Sequence, residues 1–231
     1  MILSDFKTLI RAYVSGAKIA VITETMLELL INKGVDDVNI RASALTGDKK
    51  FNVTAESRTY VASSVISNFV AFAEGGLWWN AGSASSQNWR KLDPLMRQSL
   101  NDQFPRWMSQ TSDNPIRYIH EGDNIIIDPI PKTTLTDGFW AFYVKKATAM
   151  TQGTHYPFSG STTEIANLLV LDDAIIDYVR WKLNPILGKK AEGVIVEEDY
   201  RKSLAEKIQL FKRRLDISAN PYARFRGPTI G

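Results

Sequence analysis

The spacing of apolar residues changes twice along this chain, and that change constrains the fold more than any other feature of the sequence. Near both ends, apolar residues recur every three or four positions, as they do on one face of an α-helix. Between about residue 50 and residue 147 they alternate with polar residues or form short runs, which is typical of β-strands. Helices at both ends of a strand-rich middle predict an α+β fold.

The most regular helical pattern lies near the C-terminal end, in a helix predicted from about Val194. Glu197 with Arg201, and Glu198 with Lys202, have the spacing of favourable ion pairs along one helix. Its apolar stripe consists of Val196, Tyr200, Leu204, Ile208, Phe211 and Leu215. A stripe of this kind is expected to pack against other helices.

Three further helices are predicted, one over the opening residues and two with clear start or stop signals. The second helix is predicted to start near Thr23, and Thr25 and Glu28 have the spacing of a capping box. That helix either ends at Gly34 or continues through it, at a cost of about 1 kcal/mol. The helix before the last one is predicted to start at Ser161 and to end at Pro185. The terminal helices are expected to form a small bundle.

The central region contains a hairpin signal. Two apolar runs, Ile116–Ile119 and Ile125–Ile127, flank the turn-forming segment Glu121–Asn124. A further strand is predicted over Phe139–Ala147. Short connections between the three strands predict an antiparallel meander or sandwich.

Three local features are predicted upstream of the hairpin. Val65–Phe72 is a candidate strand, and Gly75–Gly76 is a candidate turn. Residues 92–101 are predicted to be a short helix, with Asp93 as its N-cap and Pro94 at its first position.

These elements predict three parts. Residues 1–48 and 161–215 would form a discontinuous helical domain, and residues 49–160 a β-rich domain inserted into it. Residues 216–231 have no periodicity and few apolar side chains, so they are expected to be an extended arm that becomes ordered on a partner.

Few residues in the sequence suit catalysis. There is no cysteine and there are two histidines, so thiol chemistry is excluded and a recognisable zinc site is not expected. No catalytic, cofactor or metal residues are therefore predicted. Two acidic clusters, Asp172–Asp173 and Glu197–Asp199, leave a carboxylate-pair hydrolase open as a minor alternative, but solvated helix faces are the favoured interpretation.

Charge and hydropathy indicate a soluble protein made in the cytoplasm. The net charge of +3 comes from 28 basic and 25 acidic residues and is a weak sign of a polyanionic partner. The N-terminal residues do not resemble a signal peptide. No apolar stretch reaches the roughly 18 residues that cross a bilayer.

Tryptophans are concentrated in the strand-rich region, and Trp78, Trp79 and Trp140 are candidates for contact with another subunit or a partner protein. Core packing and subunit contact are the favoured interpretation, since both use such rings. A carbohydrate-binding face is the alternative.

Several segments, taken in order, resemble the adaptor (head-to-tail connector) proteins of tailed bacteriophages, including podophage tail tubular proteins. A tryptophan-containing loop leads to a Pro-x-x-Tyr strand, a short turn, an apolar strand closed by Pro-x-Pro, another strand and two final helices. The segments are Leu30–Gly34, Asp93–Leu95, Phe104–Trp107, Asn114–Ile119, Asn124–Pro131, Phe139–Lys146, Ile165–Leu171 and Tyr200–Leu215.

The resemblance implies assembly rather than catalysis. Such adaptors bind the portal as a ring, usually of twelve copies, and extend the channel through which the viral genome is ejected. They then present a surface to the next tail component or to tail fibres. DNA would be only the content of the channel. By this resemblance the protein would lie in the neck of the virion and would be assembled in the host cytoplasm. The arm would reach the portal through Pro221, Tyr222, Arg224, Phe225 and Arg226. A tail accessory protein that binds a fibre or a host glycan is the alternative, and a cell-wall hydrolase a weaker one.

Overall fold

The computed structural model describes residues 1–13, 21–83, 85–187 and 195–219, the last six of these as backbone. The chain divides into two compact units, a helical unit formed by residues 1–44 with 147–231 and a strand unit formed by residues 45–146. The α+β prediction is confirmed. Residues 147–160, assigned above to the β-rich domain, cluster with the helices.

Helices and strands follow one another along the described residues in an order that explains this division. The elements are α1 Leu3–Tyr13, α2 Glu24–Ala42, β1 Thr46–Val53, β2 Thr59–Val61, α3 Ala62–Val65, β3 Phe69–Asn80, β4 Trp89–Lys91, β5 Asp93–Pro94, α4 Arg97–Gln103, β6 Arg117–Glu121, β7 Asn124–Asp128, β8 Leu135–Lys145, α5 Asp172–Leu187 and α6 Glu197–Ala219. Two 3₁₀ turns, Trp107–Ser109 and Ala166–Leu171, complete the order.

Helix α2 is the longest helix of the N-terminal part. Its N-cap is Thr23, whose hydroxyl accepts a hydrogen bond from the Met26 amide at 3.2 Å, so the capping position lies two residues before the predicted Thr25. The helix continues through Gly34 and ends where Ser43 adopts a left-handed conformation with φ of 50°.

Gly34 is used for close packing of α2 against α5. A Cβ atom at this position would lie 3.1 Å from the Tyr178 ring and 3.3 Å from the Ile175 side chain. These contacts explain why the helix accepts a glycine in its interior despite the conformational cost.

Three aromatic rings join α5 to α6. The rings of Trp181 and Tyr200 stack at 5.4 Å, and Tyr178 meets Tyr200 edge-on at 5.6 Å. The buried Tyr200 hydroxyl donates a hydrogen bond to Asp37 on α2, and Asp37 also pairs with Arg41 at 2.8 Å. Burial and the neighbouring Asp37 carboxylate both raise the pKa of Tyr200, so its hydroxyl stays protonated and donates. The N-terminal and C-terminal helices therefore share one core.

The strand unit is a sandwich of two four-stranded sheets. The first sheet has the order β1-β8-β3-β4, and the second has the order β2-β7-β6-β5. Adjacent strands run antiparallel except for the two-residue β5, which lies parallel to β6. Side chains from both sheets form the core between them, in which the rings of Phe51, Tyr60 and Phe139 lie 5.3–5.9 Å apart.

The predicted meander is wrong in its third strand. The hairpin of β6 and β7 forms, with Glu121 opposite Asn124 at its turn. Strand β8 then leaves that sheet and pairs with β1 and β3 in the other one. Pairing with β1 depends on residues about 90 positions apart, which the local pattern around β8 does not reveal.

Two local predictions near Gly75 are also wrong. Residues Ala62–Val65 form a helical turn, so strand β3 begins only at Phe69. Gly75 and Gly76 do not end this strand, because the chain continues through them as an irregularity in the pairing with β8 between Phe72 and Leu77.

The predicted helix at residues 92–101 starts later than expected. Asp93 and Pro94 form strand β5, and Met96 is the N-cap of a helix that starts at Arg97. Proline is accepted here because β5 lies at the edge of its sheet.

The boundaries of the last two helices also differ from the prediction. Helix α5 begins at Asp172 rather than at Ser161, and Pro185 lies inside its last turn. In α6 the predicted stripe side chains Tyr200, Leu204 and Phe211 are buried. The helix extends to Ala219, so residues 216–219 belong to a helix rather than to the predicted arm.

Valine in place of Gly34 should destabilise the helical unit by about 1–3 kcal/mol, because the added side chain would enter the contact with Tyr178 and Ile175. Denaturant unfolding followed by helical circular dichroism measures this change. Lys33→Val, at the exposed neighbouring position, is the matched control and should have a much smaller effect. Equal effects of both substitutions would contradict the packing role of Gly34.

Candidate contact surface

The outer face of the β1-β8-β3-β4 sheet carries aromatic residues where polar residues would be usual. Trp140 on β8 lies opposite Lys50 of β1 on one side and opposite Trp78 of β3 on the other. Trp78 in turn lies opposite Lys91 of β4. A row of four side chains therefore runs across the sheet, one from each strand, with the two indole rings in the middle and a lysine at each end.

Trp89 and Phe142 extend this group of rings. Trp89 lies 5.5 Å from Trp140, and Phe142 lies 4.7 Å from Trp140 and 6.5 Å from Trp78. All four rings are half-buried. We call the surface formed by Trp78, Trp89, Trp140 and Phe142 the outer aromatic face.

Lys50 places its positive charge over this face. Its ammonium group lies 5.1 Å from the Trp89 ring and 5.4 Å from the Trp140 ring, and donates to the Gln87 side chain at 3.3 Å. A cation over exposed rings contributes about 0.5–1 kcal/mol. This contact fixes the position of both indoles.

Each indole N–H of the outer aromatic face has a hydrogen-bond acceptor within the same unit. Trp140 donates to Asp48 at 3.0 Å, Trp78 to the Gly75 carbonyl at 2.9 Å and Trp89 to Gln87 at 3.2 Å. The rings are therefore held in place before any partner arrives, which lowers the entropic cost of binding.

Gly75 allows Phe142 to lie flat against the neighbouring strand. A Cβ atom at Gly75 would be 2.5 Å from Phe142 Cγ, closer than any side chain permits. Gly75, which was predicted to belong to a turn, thus leaves the space that Phe142 occupies in the outer aromatic face.

The three tryptophans predicted as contact residues do not lie on one surface. Trp78 and Trp140 belong to the outer aromatic face, but Trp79 is 3% exposed and packs on Phe139 at 5.5 Å in the sandwich core. Successive residues of a strand point to opposite faces, so Trp78 and Trp79 cannot share a surface. Trp79 is therefore excluded from the proposed contact surface. Trp89, Phe142 and Lys50 were not predicted to belong to a contact surface. Alternation along Phe139–Tyr143 could have placed Phe142 on the same face as Trp140.

The predicted arm residues lie outside the described residues. These are Pro221, Tyr222, Arg224, Phe225 and Arg226. The described chain ends in helix α6, directly before them.

Both histidines make contacts within the folded chain, His120 with aromatic rings and His155 with a backbone amide. His120 meets the rings of Phe69 and Phe72 edge-on at 5.1 and 5.5 Å, and burial lowers its pKa below the ordinary value of 6.5. His155 accepts a hydrogen bond from the Thr151 amide at 3.3 Å through its Nδ1 atom. Neither contact resembles the base and orienting carboxylate of a catalytic triad.

The first acidic cluster is divided between core and surface. Asp172 is buried, and burial raises its pKa to about 6, against the opposing effect of the Met1 ammonium group that it contacts. Asp173 is exposed and pairs with Lys207 at 2.7 Å. A cavity beside Asp172 and Glu164 measures about 10 Å³, which holds one water molecule and no sugar ring.

The second acidic cluster lies in the exposed first turn of α6, where carboxylates favour the positive end of the helix dipole. Glu197 pairs with Arg201 as predicted, at 2.6 Å.

Among the residues that the structure describes, no group of three or more histidine, aspartate or glutamate side chains could hold a metal ion. No helix in the same residues is long and apolar enough to cross a membrane.

The family model described as SU10 adaptor protein matches residues 1–229, which include both the helical unit and the sandwich. No curated protein matches the chain.

Replacing His120 with phenylalanine should reduce the pH dependence of stability. The native state binds the His120 proton more weakly than the unfolded chain, so this stability is present above pH 6.5 and is lost as pH falls toward the lowered pKa. Urea unfolding at a series of pH values across this range measures the slope.

Tyr118→Phe is the control for this experiment. Burial raises the pKa of Tyr118 to about 12, so its removal should leave the slope near pH 6 unchanged. An unaltered slope in His120→Phe would show that His120 is not the responsible group.

Proposed function

Since the chain belongs to the SU10 adaptor protein family, a family of phage head-to-tail adaptors, we propose that its copies dock as a ring on the portal and join it to the tail. The protein is a phage adaptor, and the family places it in the neck of the virion. The single observation that carries the proposal is the family match over residues 1–229, because it spans both compact units rather than one of them.

In this proposal the role is structural and needs no reaction. The ring would extend the channel of the portal, with DNA passing through it during ejection, and would be assembled in the host cytoplasm. A closed ring requires that one surface of each copy bind a different surface of its neighbour. Twelve copies would match the number that the resemblance implies.

The outer aromatic face is the proposed contact for the next tail component. Tryptophan and phenylalanine are enriched in the centres of protein interfaces, where a few buried rings supply most of the binding energy. Here four such rings lie together on one sheet, half-buried and held by hydrogen bonds. Covering them with a partner would remove the remaining apolar area from water.

The same face supports a second candidate function, binding of a tail fibre or a host glycan. Fixed indole rings can stack on a sugar, and the lysines at both ends of the row, Lys50 and Lys91, would suit an acidic one. A glycan array separates this candidate from the first, which predicts no sugar binding.

The C-terminal arm is proposed to bind the portal. In this proposal the arm is residues 220–231, which follow the last described residue of α6, and the sequence of this segment has no periodicity. It would become ordered only on its partner.

Truncation after Ala219 should leave the fold intact and abolish docking on the portal. The purified portal and the truncated chain are mixed, and negative-stain electron microscopy counts stacked rings. Truncation after Gly227 keeps all five predicted arm residues and is the matched control, which should still dock. Normal docking of the shorter chain would disprove the role of the arm.

Alanine at both Trp78 and Trp140 should weaken binding of the next tail component while the ring still docks on the portal. Loss of two central rings is expected to cost about 2 kcal/mol or more in binding free energy. Pull-down of the tail component by portal-bound rings measures the effect, and thermal unfolding verifies the fold.

Met96→Ala is the control for this pair, since Met96 is 77% exposed and lies outside the outer aromatic face. Equal recruitment by the double variant and the control would contradict the proposed contact.

A further inference from the structure

A groove on the other sheet of the sandwich has features of a protein contact. It is open, measures about 310 Å³ and is lined by side chains of β2, β7, α4 and the segment around the first 3₁₀ turn. The lining residues are Arg58, Thr59, Arg97, Trp107, Met108 and Ile126. This volume is at the lower end of the range of ligand sites and suits one or two aliphatic side chains.

Arg58 is held rigidly at this groove. Its guanidinium group donates to the Trp107 carbonyl at 3.1 Å and to the Met108 carbonyl at 3.2 Å, and lies 4.8 Å from the Trp107 ring. In the part of the chain that the structure describes, Arg58 forms no ion pair. A fixed, uncompensated guanidinium is a good receptor for a carboxylate.

Two apolar side chains, Trp107 and Met108, lie beside Arg58, while the other basic residue of the groove, Arg97, is already paired with Glu121. Met108 is 61% exposed although it lines the groove, and Trp107 lies buried beneath it. Methionine is common at surfaces that bind apolar segments, because its long side chain adjusts to the partner. The groove therefore suits a segment that has an aliphatic residue next to an acidic one.

The chain itself has such a segment at the start of α6. Val196 is 52% exposed and is followed by Glu197, Glu198 and Asp199. Glu197 pairs with Arg201, and Asp199 accepts a hydrogen bond from the Val196 amide at 3.3 Å. Glu198 is exposed and forms no ion pair with any described residue, so the predicted pair with Lys202 is not formed.

This combination of an exposed apolar residue and free acid is specific to one place. Of the large hydrophobic side chains that are exposed in the described residues, only Val196 has a carboxylate at either of the next two positions, and the second of these, Glu198, is the one without an ion pair. Ile40, Met96 and Ile116 are each followed by arginine.

We propose that, in the assembled ring, residues 195–198 of one copy occupy this groove on the neighbouring copy. Val196 would lie against Met108 and Trp107, and the Glu198 carboxylate would pair with Arg58. The contact joins two different surfaces, as a closed ring requires. It rests on the proposed ring function and identifies the surfaces by which neighbours bind.

Cysteine crosslinking tests this contact directly, because the chain contains no cysteine of its own. Chains with Met108→Cys and chains with Val196→Cys are mixed, assembled with the purified portal and treated with a short bismaleimide. Electron microscopy of the same samples establishes whether rings have formed. In a ring assembled at random from equal amounts, roughly one interface in four places the two cysteines opposite each other, so up to about half of the chains should appear as crosslinked dimers.

Met108→Cys mixed with Leu29→Cys is the matched control, because Leu29 is 54% exposed on another helix of the same unit as Val196. This mixture should stay monomeric after treatment. Rings without crosslinks between positions 108 and 196, or crosslinks equal to the control, would overturn the inference and leave the ring function intact. Failure of the unsubstituted chain to form rings on the portal would overturn both.

A charge reversal provides an independent measurement. Glu198→Lys should reduce the yield of rings several-fold, because it places a cation against Arg58. Glu206→Lys makes the same change at an exposed position further along α6 and should leave the yield unchanged. Equal yields from both variants would also overturn the inference.

Discussion

The alternation of side chains along β8 is the constraint on which the sandwich and its proposed contact surface both depend. Phe139, Ala141 and Tyr143 point inward and are at most 6% exposed. Trp140 and Phe142, between them, point outward. Because β8 lies between β1 and β3, its register fixes which residues of those strands join the core and which join the outer aromatic face. A shift of one residue would exchange the two sets.

The helical unit is held together in a different way, by contacts between the two ends of the chain. Tyr200 on α6 is fully buried, stacks on Trp181 of α5 and donates to Asp37 of α2. Gly34 lets α5 approach α2 closely. These contacts fix the first part of α6, and therefore the position of the exposed Val196 segment that precedes it.

The sequence predicted what depends on local patterns and missed what depends on distant pairing. Helical periodicity at both ends predicted the helices. In the predicted stripe of α6, Tyr200, Leu204 and Phe211 are buried, but Val196 is exposed and precedes the helix. The hairpin of β6 and β7 was predicted because its turn is local. The position of β8 could not be predicted, since it is fixed by partners far away in the sequence. For the same reason, the grouping of Trp78, Trp89 and Lys50 around Trp140 was missed, although the opposite orientation of Trp78 and Trp79 follows from strand alternation alone.

In the proposed function, the protein acts through surfaces that bind other proteins. Cryo-electron microscopy of purified virions, with the subunit identified by its fitted fold, is the most direct measurement. We expect a ring of this chain between the portal and the tail, with the outer aromatic face covered by a tail protein. Finding the chain elsewhere in the particle, or in the neck as isolated copies without neighbours, would contradict it.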